Sequence, residues 1–215
     1  MTLKVLILDF DGVLIESNAI KDRAFLRVFA AYPQKLVEIM AYHRSVTKIR
    51  FEKFRHIYEN ILGEPYTPQV EAACGQVFSN FSVRESIRCP WVKGAEDFLR
   101  EFHGQVPMYL ASINPAQDLD EVLKGRGIAH FFKGVHTAVS SKVEVIRSIL
   151  AQEGAAAGDA LFIGDSLSDH ASAVGAGVPF VGRQAEADLS ATGAPVFKDM
   201  AGVKDHVLGI YAGDM

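Results

Sequence analysis

Cysteine is scarce in this chain: Cys74 and Cys89 are the two among 215 residues, which gives neither a disulfide framework nor the spacing of a structural metal site. The seven histidines include no His-x-x-x-His pair, so the helical zinc-ligand pattern is missing as well. No apolar run approaches the length of a bilayer span. The N-terminal one, Val5 to Leu8 with Leu3 nearby, is broken at Asp9, a pattern unlike either a signal peptide or a membrane helix. A cytoplasmic location and no membrane partner are therefore expected. Positive charge is not in excess either: the net charge of -4 argues against non-specific binding to nucleic acid. There is no internal repeat, and the one compositionally simple stretch, Gly154-Ala155-Ala156-Ala157-Gly158, reads as a helix-to-strand loop.

What remains is an ordinary globular composition, 49% apolar and 22% charged, long enough for one large domain or one domain carrying an insertion. The charge is unevenly spread. Between Ile15 and Arg88 there are 11 Lys or Arg and 8 Asp or Glu, a balance of +3, so the rest of the chain carries -7. The basic segment shows no convincing strand. Ile20, Ala24, Phe25, Val28, Phe29 and Tyr32 recur at helical spacing after Ser17, a suitable N-cap, and predict a helix ending before Pro33. A second helix is expected from Pro33 to about Tyr42. A third is marked by Phe51, Phe54, Ile57, Tyr58, Ile61 and Leu62 and closed by Gly63. A fourth opens at Thr67-Pro68 with Val70, Ala73, Val77, Phe78 and Phe81 inward.

From Val92 onward helices alternate with short apolar runs: strands at Val106 to Ala111, near Val135, at Ala160 to Ile163 and at Phe180-Val181, with helices at Glu96 to Phe102, Asp118 to Lys124, Lys142 to Gln152 and Ser168 to Val174. Such alternation implies a parallel sheet with right-handed crossovers. The expected organisation is an α/β core of residues 1–14 and 89–215, interrupted after its first strand by a four-helix segment, 15–88.

That first strand, Val5-Leu6-Ile7-Leu8, delivers two carboxylates, Asp9 and Asp11, to its end and turns at Gly12. Four branched aliphatics suit a strand buried on both faces, and ligands in such sheets bind beyond the carboxyl ends of the strands. An ordinary Asp-Gly turn is the bland reading. An EF-hand calcium loop fails, because Val13, Leu14 and Ile20 stand where it needs Asp or Asn, Gly and Glu. The pair reads as a site for a cation, a phosphate or both, with the relative aim of the two acids left open. Other polar residues sit where strands end: Ser112 and Asn114, then Asp165 with Asp169. Lys142 lies in the first turn of its helix, where the dipole disfavours a cation by a few tenths to ~1 kcal/mol, so an anionic ligand or a nearby carboxylate should compensate.

Asp9-Phe10-Asp11-Gly12-Val13-Leu14, Ser112, Lys142, and Gly164-Asp165-Ser166-Leu167-Ser168-Asp169 resemble, in order, the four motifs of the haloacid dehalogenase-like superfamily. The resemblance spans nearly the whole chain and implies a Rossmann-like parallel core with a helical cap inserted after the first motif. It implies Asp9 as the nucleophile that forms an aspartyl-phosphate, and Asp11 as the acid that protonates the leaving oxygen and then the base that activates water. Mg²⁺ would be held by the Asp9 side chain, the Asp11 carbonyl and Asp165, with Asp169 ordering the metal shell or Lys142. Ser112 would donate to a phosphate oxygen, helped by backbone N–H groups near Gly12 and Asn114, and Lys142 would neutralise the phosphate or Asp9.

Dehalogenases of this superfamily lack an acid two residues after the nucleophile, because halide leaves without protonation; phosphatases and phosphomutases keep it, as does this chain at Asp11. The resemblance thus implies a Mg²⁺-dependent phosphatase acting on a small phosphorylated metabolite, with a β-phosphoglucomutase-like phosphomutase as the enzymatic alternative. A phospho-receiver signalling module also pairs aspartates with Ser/Thr and Lys, but there the lysine comes last. Within the cap, Arg44, Lys48 and Arg50 are the expected contacts to an anionic leaving group, with His43 beside them; His170, next to Asp169, reads equally well as a packing residue.

Overall fold

The computed structural model describes residues 3–46, 48–137 and 141–212, the last two by backbone alone. In chain order the elements are β1 (Val5–Leu8), α1 (Asn18–Val28), α2 (Leu36–Ser45), α3 (Arg50–His56), α4 (Pro68–Arg88), α5 (Ala95–Phe102), β2 (Met108–Ala111), α6 (Ala116–Arg126), β3 (Gly134–His136), α7 (Lys142–Glu153), β4 (Ala160–Gly164), α8 (Leu167–Ala176), β5 (Phe180–Arg183), β6 (Val196–Phe197) and α9 (Met200–Ala212). They fall into two compact units, Met1–Glu16 with Cys89–Met215, and Ser17–Arg88.

The first unit is the expected α/β core. Its six strands are all parallel, in the order β3-β2-β1-β4-β5-β6. β1 is central, paired with β2 on one side and β4 on the other, which is why Val5, Leu6, Ile7 and Leu8 are all fully buried. A side chain of this kind, fully buried, is worth about 1.5–3 kcal/mol, so the four apolar residues fix the strand firmly in the middle of the sheet. From β1 the chain proceeds to β2 on one side; from β3 it returns to β4 on the other. A sheet whose order reverses in this way opens a crevice at the carboxyl ends of the two central strands. Asp9 follows β1, and its backbone N–H continues the ladder to the Ile163 carbonyl at 2.9 Å; Asp165 follows β4.

The second unit is helical and has its own core, in which Phe25, Phe29, Ile39, Phe54, Ile57, Cys74 and Phe78 are buried together. Several details differ from the pattern expected of the sequence. α1 ends at Val28, before Pro33 as expected, with Phe29 as its C-cap; Phe29 and Tyr32 lie beyond it, Tyr32 held out of helical geometry by Pro33 at φ -117°, ψ 56°. Helix α3 widens into a π-helical segment, Ile57–Leu62, before the left-handed Gly63 at φ 70° ends it. In α4 the buried positions are Cys74, Gly75, Phe78 and Ser86. Val70 and Phe81 pack against the core as expected, while Ala73 and Val77 are exposed, and Cys74 and Gly75 turn inward instead, the Phe51 ring lying 3.1 Å from where a Gly75 Cβ would be. In the core unit, β6 and α9 were not anticipated: a two-residue strand has no periodicity to detect. Among the described residues no helix is long and apolar enough to cross a membrane.

Candidate active site

Four loops meet at the carboxyl ends of β1, β2 and β4 and the start of α7. Leu8 hands the chain to Asp9, whose carboxylate lies 3.0 Å from the Lys142 ammonium. That ammonium also donates to Asp169 Oδ1 at 2.6 Å. Lys142 is brought there by α7, whose N-cap Ser141 accepts the Glu144 N–H at 3.4 Å. The carboxylates of Asp9 and Asp169 thus lie beside a cation that the helix dipole alone would disfavour.

Asp169 is held by the turn that precedes it. Ser166 caps α8, its side chain accepting the Asp169 N–H while the Asp169 carboxylate receives the Ser166 N–H, a reciprocal capping box. Asp169 Oδ2 further accepts the Ser166 hydroxyl at 2.6 Å and the Asp165 N–H at 3.3 Å. Gly164 makes this possible: a Cβ there would stand 2.4 Å from Asp169 Cβ. With both oxygens engaged and a side chain 1% exposed, Asp169 is a fixed brace between Lys142 and the Asp165 loop.

On the other side of β1, Ser112 extends the β2 ladder by donating its N–H to the His136 carbonyl at 2.9 Å. Its hydroxyl accepts the Asn114 N–H at 3.2 Å. The Asn114 side chain turns the other way and donates to Asp11 Oδ2 at 2.8 Å. Asp11 is thus gripped from the β2 side, whereas Asp9 is gripped from the α7 side. Gly12, at φ 71°, takes the left-handed turn that a side chain would resist.

The electrostatics are lopsided. Asp9 and Asp169 flank the Lys142 ammonium, and ligand atoms of Asp9, Asp165 and Asp169 lie within 4.8 Å of one another. Burial pushes the Asp9 carboxyl up to about 7; Lys142 pulls it down, and Asp169, Asp165 and Asp11 push it up again. For Lys142 burial alone would lower the ammonium, but Asp9 and Asp169 outweigh it and hold the group above the usual lysine value. A cluster of hard oxygens with more negative than positive charge fits a divalent cation that prefers oxygen donors. Asp9 and Asp165 fit as its carboxylate ligands, since Asp169 is already spoken for.

A family model for the haloacid dehalogenase-like hydrolases matches residues 6–183. The chain belongs to this family. No curated protein sequence matches it. Among solved structures, a predicted phosphoglycolate phosphatase from Haemophilus somnus superposes with a TM-score of 0.77 at 16% identity, over 96% of this chain and 99% of the other. The HAD-hydrolase YfnB from Bacillus subtilis, solved bound to magnesium, gives a TM-score of 0.75 at 16% identity, covering 97% and 100%. A mutant of CbbY from Rhodobacter sphaeroides, in complex with xylulose-(1,5)bisphosphate, gives 0.73 at 16% identity over 93% and 96%.

For this haloacid dehalogenase-like chain, Asp9, Asp11, Gly12, Ser112, Asn114, Lys142, Asp165 and Asp169 all lie in the core unit at the loops just described. Arg44, Lys48 and Arg50 lie in the helical unit. Arg44 is paired with Asp22, its Nε donating at 2.8 Å; Lys48 is exposed; the Arg50 guanidinium lies over the Phe51 and Phe78 rings and donates to Ser79 Oγ at 2.9 Å. His43 is buried, with Nε2 3.0 Å from Asp22 and Nδ1 3.2 Å from the Lys53 ammonium. His170 packs edge-on against Phe180. Two side-chain roles were not anticipated: the capping by Ser166, which carried the Ser-x-x-Asp spacing as a signal, and the bond from the Asn114 side chain to Asp11, which carried none, the two being 103 residues apart.

Proposed function

We propose that this protein is a Mg²⁺-dependent phosphatase of small phosphorylated metabolites that works through an aspartyl-phosphate on Asp9. The observation that carries this reading is the separation of the two strand-end acids: Asp9 contacts an ammonium, while Asp11 receives a neutral amide donor. An ammonium partner favours the ionised form of a carboxylate that burial pushes the other way, which suits a nucleophile. A neutral partner tolerates both protonation states, which suits a group that must give and then take a proton.

In the first step a carboxylate oxygen of Asp9 attacks phosphorus, the bond from phosphorus to the substrate oxygen breaks, and Asp11 protonates the departing alkoxide. In the second, Asp11 takes a proton from water as that water attacks phosphorus, releasing inorganic phosphate and restoring Asp9. Ser112 donates its hydroxyl to a phosphate oxygen, and Lys142, braced by Asp169, offsets charge at Asp9 as the dianion arrives. Asp9, Asp165 and the Asp11 carbonyl would hold Mg²⁺, which would supply positive charge between carboxylate and phosphate. The helical unit, joined to the core just after Asp11, serves as a cap, and its Arg44, Lys48 and Arg50 supply positive charge for an anionic leaving group.

The test is a panel of phosphomonoesters assayed with Mg²⁺ against wild type, Asp9→Asn and Asp11→Asn, with products identified. Free phosphate that is lost with Asp9→Asn and in EDTA, and restored by Mg²⁺ but not by the larger Ca²⁺, is the expected result. An isomerised sugar phosphate would make the protein a phosphomutase instead. Equal phosphate release by wild type and Asp9→Asn would sink the mechanism.

A further inference from the structure

Arg183 ends β5 and is 8% exposed, 171 residues from the segment it contacts. Its Nη1 donates to the Gly12 carbonyl at 2.9 Å, and its Nη2 to the Glu16 carboxylate. Nε is buried with no hydrogen-bond partner. A guanidinium in this setting has given up most of its water, and what it holds is the turn that begins at Asp11. That turn is closed on itself by Gly12 N–H to the Ile15 carbonyl and Leu14 N–H to the Phe10 carbonyl, each at 3.0 Å. It is a short, left-handed loop of backbone with Asp11 at its head and Glu16 at its foot, and Arg183 clasps both ends.

We propose that Arg183 is a positioning residue for Asp11. By fixing the Gly12 carbonyl and Glu16 it sets the turn whose first member donates and accepts the proton. Asn114 fixes the Asp11 carboxylate from in front, at 2.8 Å; Arg183 fixes the backbone behind it. Lysine could reach one of these acceptors but not both, since the fork geometry belongs to the guanidinium. This rests on the proposed function, in which Asp11 gives a proton to the leaving oxygen.

The experiment compares kcat/KM for an alkyl phosphomonoester, whose leaving oxygen needs a proton, with that for p-nitrophenyl phosphate, whose leaving group does not. Because kcat/KM reports events through the first phosphoryl transfer, it isolates the donation by Asp11. Arg183→Met is expected to lower kcat/KM on the alkyl ester by about 10–100-fold, in the range that small misplacements of a reacting group produce. On p-nitrophenyl phosphate the loss should be no more than about threefold, and in an Asp11→Asn background Arg183→Met should add little further loss on the alkyl ester. Arg183→Lys should recover part of the alkyl-ester rate. Hydrogen exchange at the Gly12, Leu14 and Glu16 amides, read without substrate, should quicken in Arg183→Met. Equal losses on the two substrates, or full additivity with Asp11→Asn, would overturn the assignment. Should wild type hydrolyse neither ester, the functional reading fails first, and unchanged exchange at those amides would still overturn the positioning role by itself.

Discussion

Replacing Lys142 with methionine keeps the bulk of the stem and removes the ammonium from between two buried carboxylates. At an effective dielectric of ~20, unit charges at 3.0 Å and 2.6 Å attract by about 5–6 kcal/mol each before desolvation. Taking the ammonium out of water offsets much of that gain. Removing it leaves Asp9 and Asp169 buried against each other, and the cost of stripping one partner from a buried pair is about 3–5 kcal/mol. For a chain of this size that corresponds to a fall in melting temperature of roughly 6–20 °C. The assay is urea denaturation of wild type, Lys142→Met, Asp169→Asn and the double variant at pH 7.5 without divalent cation.

The pH dependence fixes the sign. Lys142 is held above the usual lysine value, so its contribution is complete below the unfolded lysine pKa of ~10.4 and is lost only as pH rises through the raised folded value. Wild type should keep it throughout the neutral range. In Lys142→Met the Asp9 carboxyl, no longer pulled down by the ammonium, rises further, so the deficit should narrow as pH falls and Asp9 takes up its proton. Asp169→Asn should cost much less in the Lys142→Met background than in wild type, because it then removes a repelling charge. A deficit under about 1 kcal/mol at pH 7.5, or costs that add to within ~0.5 kcal/mol, would refute the account of this lysine as a charge held by its two carboxylates.

Gly164→Ala puts a Cβ 2.4 Å from Asp169 Cβ and should cut activity at least about tenfold through the Lys142 brace; wild-type turnover in that variant would show that the brace tolerates displacement. His43 is held down to about 4, first by burial and then by Lys53, so the unfolded chain binds its proton before the folded one does. Stability should therefore fall by up to roughly 3 kcal/mol as pH drops from 6.5 to 4. Thermal melts of His43→Gln should lose that part of the slope, and a slope identical to wild type would assign the acid sensitivity elsewhere.

The sequence was legible where one residue type has one sufficient cause. Val5 to Leu8 is too short and too apolar for anything but a central parallel strand, and it is one. The helical unit was harder: Phe78 was legible as an inward position of α4, but spacing alone did not distinguish Ala73 and Val77 from Cys74 and Gly75, where the close Phe51 ring is a tertiary contact. β6 is two residues long and owes its existence to β5 beside it. The basic stretch from Arg44 to Arg55 shows the limit for charges. Five cations look alike in a sequence, yet Arg44 pairs with Asp22, Arg50 lies across two phenylalanines, Lys53 is buried against His43, and Lys48 is exposed.

The two acids at the end of β1 show the same limit at the site. Sequence places Asp9 and Asp11 two residues apart and leaves their relative aim undecided, since Gly12 frees the chain immediately after them. What separates them chemically is the kind of partner each meets, and both partners come from distant elements: the Lys142 ammonium from α7, and the Asn114 amide from the turn after β2. A carboxylate opposite an ammonium is stabilised only when ionised, whereas a carboxylate accepting from an amide can carry a proton on its other oxygen and keep that bond. Exchanging the partners would therefore exchange the chemistry. An ammonium at position 114 would hold Asp11 ionised and silence it as an acid while leaving Asp9 able to attack. In the proposed mechanism the division of labour between the two aspartates thus resides in residues 114 and 142 as much as in 9 and 11.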